Sequence, residues 1–388
     1  MIPDLMRDFG VSAAVLGNLS AIYFYAYAGM QIPVGVMVDR WGPRRILSGA
    51  GLLCAAGSLM FATADTITLA YVGRLLIGCG AGFFFVSSLK LASIWFEPRQ
   101  FAFVSGMTMF VGMTGGVGGQ APLAAAVETF GWRNTMIAGA LAALVLSLMC
   151  WTLVRDDPRQ HADKKSGKTT FAQVLSGLVG AMKRGQTWLL AALGACMSTS
   201  LLAFGALWCV PYMMTVYGLS RPQAAGSASL LLIGWAVAAP AIGWVSDRVG
   251  RRKIPLVVAA TLALCSISLL IYGPPLSLTM ANILLFINGS ASSAMVVCFA
   301  LTREHNAART AGGAVAVVNT GVILSGALLQ PIIGWLLDLQ WDGATINGVR
   351  VYSQGAFDSA FMCLIGAGIC SVIISLLVRE TYCRPFGS

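Results

Sequence analysis

The sequence predicts an all-α membrane protein built as two pseudo-symmetric helical bundles. Three observations carry this. Eleven long apolar runs fill the chain, its basic residues sort onto alternate loops, and one charged motif occurs twice.

Of 388 residues, 57% are hydrophobic and 10% charged, and the mean hydropathy is +0.78. Soluble domains carry about 25% charged residues, so this composition cannot cover a water-facing surface. A bilayer-spanning helix needs about 20 mostly apolar residues. Eleven runs meet that need: Val11–Val38, Ile46–Ala64, Ile67–Phe96, Phe101–Val127, Trp132–Val154, Trp188–Val216, Gln223–Ser246, Ile254–Tyr272, Leu276–Leu301, Ala311–Leu337 and Gly355–Val378. They are continuous rather than alternating, which favours helices over a β-barrel. Many of the 44 glycines fall inside the runs, where small residues let helices approach closely.

The net charge of +10 invites a nucleic-acid reading, but its placement argues against one. With loops assigned to alternate sides, one side collects 19 Lys and Arg. The other holds four (Arg7, Arg133, Arg221 and Arg350), and Arg74 and Lys90 lie within spans. The positive-inside rule puts the basic side in the cytoplasm, giving a multi-pass protein of the cell (inner) membrane. Nine of ten cysteines lie in the runs and read as small apolar fillers. No metal is called for. Met1–Gly10 carries Asp4, Arg7 and Asp8, shows no cleavable signal, and reads as a loop.

The longest polar stretch, Arg155–Gln186, separates five runs from six. The chain therefore divides into an N-terminal bundle (1–154), a cytoplasmic linker (155–186) and a C-terminal bundle (187–388). Within the linker, Phe171–Met182 spaces apolar residues along one helical face and reads as an amphipathic helix on the membrane surface.

"GVMVDRWGPRR" (Gly35–Arg45) packs four charges into a short segment between two runs. "GWVSDRVGRRK" (Gly243–Lys253) repeats it. Gly35/Gly243, Asp39/Asp247, Arg40/Arg248, Gly42/Gly250 and Arg44/Arg252 are each 208 residues apart. Such an offset indicates two homologous halves, as in many transporters. The second motif follows two runs of its half, the first only one. An in-frame apolar segment upstream of Met1, completing a twelve-helix protein, is therefore expected; a true eleven-helix variant is the alternative.

Glycine, Asp-Arg, Gly and a basic pair, between the second and third helices of each half, resemble the signature loop of the major facilitator superfamily. "GRLLIGCGAG" (Gly73–Gly82) resembles that family's fourth-helix motif, and "LKLASIWFEPRQFAFVSG" (Leu89–Gly106) its turn between helices four and five. The resemblance runs from the first run to Val378. It implies family helices 2 to 12, a substrate cavity between two bundles, and alternating access as the bundles rock.

Several residues are candidates for the working parts. Asp39 ends family helix 2 on the side where family helix 11 begins, near Arg309–Ala314. A helix N-terminus attracts a carboxylate, so Asp39 could latch the bundles on the cytoplasmic face, with Asp247 doing the same near Arg99–Phe103. Gly35, Gly42, Gly243 and Gly250 would shape the loops. Arg40, Arg44, Arg45, Arg248 and Arg252 would pair with the acids, meet anionic lipid, or simply anchor the positive side.

Arg74 lies seven residues into its span, and a charge there costs about 2.5–3.5 kcal/mol on insertion scales. It either faces a cavity or snorkels to the interface. Lys90 offers the same two readings. No Asp or Glu lies deep in any run, which weakens coupling to protons without excluding a proton or other ion gradient. No cofactor is called for. Tyr23, Tyr27 and Gln31 share one helical face, Asn288 and Ser292 another, and Asn319 lies on family helix 11. Ser198–Ser200 and Trp208 lie on family helix 7. These polar residues serve either substrate or interhelical hydrogen bonds. "GMTGGVGGQAP" (Gly112–Pro122) reads as close helix packing.

The leading reading is a secondary transporter of a small polar solute: an organic anion, amino acid or short peptide. The alternatives are a multidrug exporter and a non-transporting membrane sensor or scaffold. An enzyme is excluded by the lack of a nucleotide loop, nucleophile motif or metal cluster. The partners are a small-molecule substrate and the lipid bilayer, not nucleic acid, and the chain is expected to act as a monomer.

Overall fold

A computed structural model of the chain describes residues 2–96, 107–108, 111–156, 171–346 and 349–384. Among these residues nine helices are long and apolar enough to cross a bilayer, or ten if one bent pair counts as a span. The helices are α1 (Ile2–Phe9), α2 (Ala13–Trp41), α3 (Pro43–Ala62), α4 (Ile67–Trp95), α5 (Ala121–Phe130), α6 (Trp132–Leu153) and α7 (Phe171–Met182). Then follow α8 (Gly185–Tyr217), α9 (Arg221–Val249), α10 (Lys253–Tyr272) and α11 (Leu278–Glu304). The chain ends with α12 (Ala308–Leu339), a hairpin of β1 (Thr345–Ile346) and β2 (Val349–Arg350), and α13 (Gln354–Leu377). Ten of the eleven apolar runs coincide with one of these helices. Of the run Phe101–Val127, residues 101–106, 109 and 110 lie outside the described residues and 111–118 are helical; of the linker, 157–170 lie outside them.

The chain forms two compact units: Met1–Ala21, Gly116–Ala125 and Gly177–Ser388 make one, and Ile22–Gly115 and Ala126–Ser176 the other. In the second unit α3 packs on α4 and α6. The contact is made by glycines at backbone distance. A Cβ on Gly57 would lie 2.7 Å from the Gly73 carbonyl oxygen, and one on Gly51 would lie 2.7 Å from the Ser147 Cβ. Ser147 Oγ donates to the Ser48 carbonyl at 2.7 Å. In lipid, such small-residue contacts and interhelical hydrogen bonds replace the hydrophobic drive between helices.

In the other unit α8 packs on α12, α9 on α11, and α10 on α11 and α13. Its core includes Leu190, Leu193, Leu256, Val297, Leu301 and Val318. An aromatic cluster of Phe204, Tyr212, Phe357 and Phe361 has edge-on neighbours at 5.2–6.1 Å. Outward faces remain apolar. On α6, Leu141, Val145, Leu146 and Leu148 are each more than half exposed. Exposed apolar surface on this scale is a lipid-facing surface.

Two features differ from the sequence-based expectation. Residues 2–9 are not a loop: α1 forms there and meets α2 at a 114° bend. Eight residues are too few for a periodicity count to detect. Inside α8, Ser200–Trp208 is π-helical, a rare departure from the α-helical ladder.

Replacing Gly73 by leucine is expected to lower the midpoint of thermal unfolding in detergent, because over-packing of this kind costs about 1–3 kcal/mol or more. Gly139 has open space within 4 Å of where a Cβ would stand and should accept leucine without loss. Size-exclusion thermal melts of both variants check this.

Candidate functional site

The two signature loops are built alike at their glycines. Gly42 precedes α3 with φ +81°, and Gly250 follows α9 with φ +66°. A side chain is strained in this region, so glycine is required. At Gly42 a Cβ would also lie 2.8 Å from the Asp156 carboxylate.

Each loop is held by an acid that follows the last helix of its half. In the first half Asp156 Oδ1 accepts the Arg44 backbone N–H at 2.9 Å. In the second, Glu380 accepts the backbone N–H groups of Arg252 at 2.8 Å and Lys253 at 2.9 Å. These amides begin α3 and α10, where no intrahelical acceptor exists. Both acids sit in a repeated tetrad, "LVRD" at Leu153–Asp156 and "LVRE" at Leu377–Glu380, 224 residues apart. The tetrad is plain in the sequence, but the signature loops overshadow it there. The carbonyl before each acid is also used in parallel. Trp95 Nε1 donates to the Arg155 carbonyl at 3.1 Å, and His305 Nε2 lies 3.1 Å from the Arg379 carbonyl.

The arginines then diverge. Arg252 donates from Nη1 to Asp247 at 2.5 Å and from Nη2 to Glu304 at 2.7 Å, and Nη1 also reaches Ser246 Oγ at 3.1 Å. Thr381 donates to Glu304 as well. Burial alone would lower the Arg252 pKa, but its bonds to Glu304 and Asp247 outweigh this and raise it. Burial likewise pushes the Glu380 carboxyl up, yet four backbone N–H groups hold it below its ordinary range. Arg44, by contrast, donates from Nε to the Trp151 carbonyl at 2.8 Å and lies 4.6 Å from the Trp151 ring centroid. Arg40 and Arg45 are exposed, and Arg248 lies 5.3 Å over Trp244. The Asp39 and Gly35 side-chain positions are outside the described residues. Gly243 has open space around it.

Arg74, Tyr23 and Tyr27 come together. A Cβ on Gly78 would overlap the Tyr23 carbonyl oxygen, and one on Gly82 would lie 2.9 Å from Met30 Cβ, so α4 lies directly on α2. Tyr23 and Tyr27 rings are 6.1 Å apart, and the Tyr27 hydroxyl bonds Gln31. Arg74 is within electrostatic reach of Tyr23, and its guanidinium carbon lies 5.6 Å from the Phe61 ring centroid. Its Nε is buried and has no hydrogen-bond partner.

The remaining candidates sit differently. Trp208 is 1% exposed, and its Nε1 donates to the Gln330 carbonyl at 3.1 Å. Gln330 Nε2 in turn donates to the Leu202 carbonyl at 2.7 Å, inside the π-helical stretch. Asn288 Nδ2 donates to the Ala263 carbonyl at 2.9 Å and to Ser266 Oγ at 3.1 Å. The donors of Trp208 and Asn288 are therefore committed to neighbouring helices. Ser292 is buried with its hydroxyl unpartnered, while Asn319 and Lys90 are half-buried.

Two helix bundles' worth of apolar helices, a duplicated charged loop, and a cationic side chain inside a span define a polytopic carrier. The Major Facilitator Superfamily model matches residues 1–331, and the chain belongs to that family. It is a secondary membrane transporter working by alternating access, and not an enzyme. It is 24% identical over 398 residues to the probable sulfoacetate transporter SauU of Cupriavidus necator, covering 97% of this chain and 88% of that protein. It is 27% identical over 296 residues to a gallate transporter of Pseudomonas putida, covering 69% and 65%. Among solved structures, a bacterial homologue of the human lysosomal transporter Spinster, in an inward-facing and occupied conformation, shares the fold. Its TM-score is 0.75 at 17% identity, over 97% of this chain and 90% of that one.

Because the folded Glu380 carboxyl lies below its unfolded value, its cap stabilises fully at neutral pH. That contribution is lost as pH falls below about 4.3 and through the lowered folded value. Glu380→Gln is expected to lower stability at pH 7 by about 1 kcal/mol, the usual worth of a helix cap. It should also narrow the drop in melting temperature between pH 7 and pH 4; parallel melts of the two proteins check both.

Proposed function

We propose that this transporter carries small organic anions, with Arg74 as the group that binds the anionic end. The observation behind this reading is a guanidinium in an apolar helix whose Nε is buried without an acceptor. Leaving such a donor unsatisfied is unfavourable, and the Phe61 face offsets only part of that. A carboxylate or sulfonate supplies the missing acceptor in the two-pronged geometry that arginine favours. Tyr23 and Tyr27 add hydroxyls and ring faces beside it. The relatives named for sulfoacetate and gallate, both organic anions, support this branch over amino acids or peptides.

In the same reading the signature loops and linker face the cytoplasm, on the positive-inside argument, in the inner membrane. The chain works as a monomer of two bundles, 1–154 and 187–388, joined by the linker 155–186. Asp39 latches the bundles on the cytoplasmic face. In this structure Asp247 pairs with Arg252, so its own latch contact competes with that bond.

Uptake of labelled gallate and sulfoacetate into proteoliposomes tests the anion reading. Arg74→Ala is expected to abolish saturable uptake, and Arg74→Lys to reduce it about tenfold, since lysine cannot bind two oxygens in one plane. Wild-type uptake of both anions by Arg74→Ala would sink the assignment. Asp39→Asn is expected to shift the protein toward inward-open, read as faster thiol labelling from the cytoplasmic face.

A further inference from the structure

The start of α2 is held by a device of the same kind at the end of α12, far from the signature loops. Asp338 Oδ2 accepts the Ala14 backbone N–H at 2.8 Å and Oδ1 accepts that of Ala13 at 3.2 Å. These are the first amides of α2, without acceptors of their own. The Ser12 side chain also bonds Asp338. The two helices touch through glycines: a Cβ on Gly334 would overlap the Ala13 carbonyl oxygen, and one on Gly17 would lie 2.6 Å from the Gln330 oxygen. Nearby, Arg221 at the start of α9 binds Asp4 of α1 at 2.8 Å.

Asp338 has a second set of partners. Tyr352 donates its hydroxyl at 2.7 Å and Arg350 its Nη1 at 3.2 Å. Both belong to the hairpin segment that follows α12. Arg350 is itself fixed over the Trp341 ring, 4.2 Å from its centroid.

We infer that Asp338 is a gating residue: its grip on the start of α2 closes the face opposite the signature loops and lets go once per transport cycle. Two features make the contact reversible. If α2 departs, Asp338 keeps Tyr352 and Arg350, so no charge is stranded, whereas a buried carboxylate losing its only partner would be held tightly in place. The freed amides of Ala13 and Ala14 lie at a helix end, where water can take over. At the closest points Gly334 meets the Ala13 backbone and Gly17 the Gln330 backbone, so no side chain interlocks there. The packing agrees: Ala13–Ala21 group with the C-terminal helices, while Ile22–Trp41 of the same helix group with α3, α4 and α6.

The inference rests on alternating access and not on the choice of anion. The test uses the full chain in liposomes. In Ser12→Cys/Arg350→Cys, a short bifunctional methanethiosulfonate should cut gallate flux at least tenfold relative to the same variant before treatment, and reductant should restore it, while the reagent leaves each single variant at its own untreated flux. Undiminished flux in the cross-linked protein would mean the contact is a permanent joint and overturn the proposal. A second arm needs no substrate. Ala13→Cys, fully buried in this structure, should react slowly with a membrane-impermeant maleimide. It should react at least tenfold faster with Asp338→Ala, near the parent rate with Asp338→Asn, which keeps one acceptor oxygen, and not at all when the cross-link is in place. Equal labelling with and without the cross-link would overturn the gate even if neither gallate nor sulfoacetate is carried. Should Asp338→Ala fail to run as a single species on size exclusion, the cross-link comparison decides.

Discussion

Backbone amides at the start of a helix have no acceptor within that helix. Among the described residues three carboxylates answer that constraint, each from just beyond or at the end of another helix. Asp156 takes the start of α3, Glu380 the start of α10, and Asp338 the start of α2. The chain has only 15 acidic residues, so spending three this way is a large commitment. Each bond joins segments more than a hundred residues apart and fixes where one helix ends relative to where another begins. Apolar packing alone cannot do this in lipid, because tails solvate a leucine as well as another helix does. The close glycine contacts between α3 and α4, and between α2 and α4, then set spacing within the frame that the carboxylates pin.

The most visible part of this frame in the sequence was its basic half. Runs of the right length, arginines sorted by side, and a loop repeated at an interval of 208 residues all follow from composition and counting. The acidic half was equally present, as "LVRD" and "LVRE", but each acid stands at the edge of a run and looks like any interfacial charge. Asp338 looked the same. What distinguishes such an acid is the amide it meets, and that partner lies far away in the chain. Polar residues within the runs posed a different difficulty. Tyr23, Trp208 and Asn288 each occupy a helical face, and periodicity cannot say whether that face meets a cavity or a neighbour. The structure gives Asn288 to the backbone of α10 and Trp208 to that of α12. Arg74 was the most legible, because a guanidinium in an apolar run is unfavourable wherever it points.

The π-helical stretch of α8 belongs to the same logic. A widened turn disturbs the regular ladder and leaves carbonyls in need of donors. Gln330 supplies one to Leu202, while its own carbonyl receives the Trp208 indole. A single residue of α12 is thus bonded to α8 through both its side chain and its backbone, and its carbonyl oxygen is also the atom against which Gly17 of α2 rests. Three helices meet at one residue there, about two turns from Asp338 along α12.

The spacing between matched residues of the halves is not constant along the chain. Trp95 and His305 are 210 apart, whereas Arg155 and Arg379 are 224 apart. The second half is therefore fourteen residues longer between those points. The connections account for thirteen of them: α5 and α6 are separated by Gly131 alone, while residues 340–353 separate α12 from α13. That longer connection is the one carrying Arg350 and Tyr352. The carboxylate caps at Asp156 and Glu380 recur in both halves, whereas the hairpin that steadies Asp338 stands where the other half has a single glycine. The duplicated frame is thus symmetric at its repeated caps and asymmetric at this one carboxylate, which has an arginine and a tyrosine to brace it.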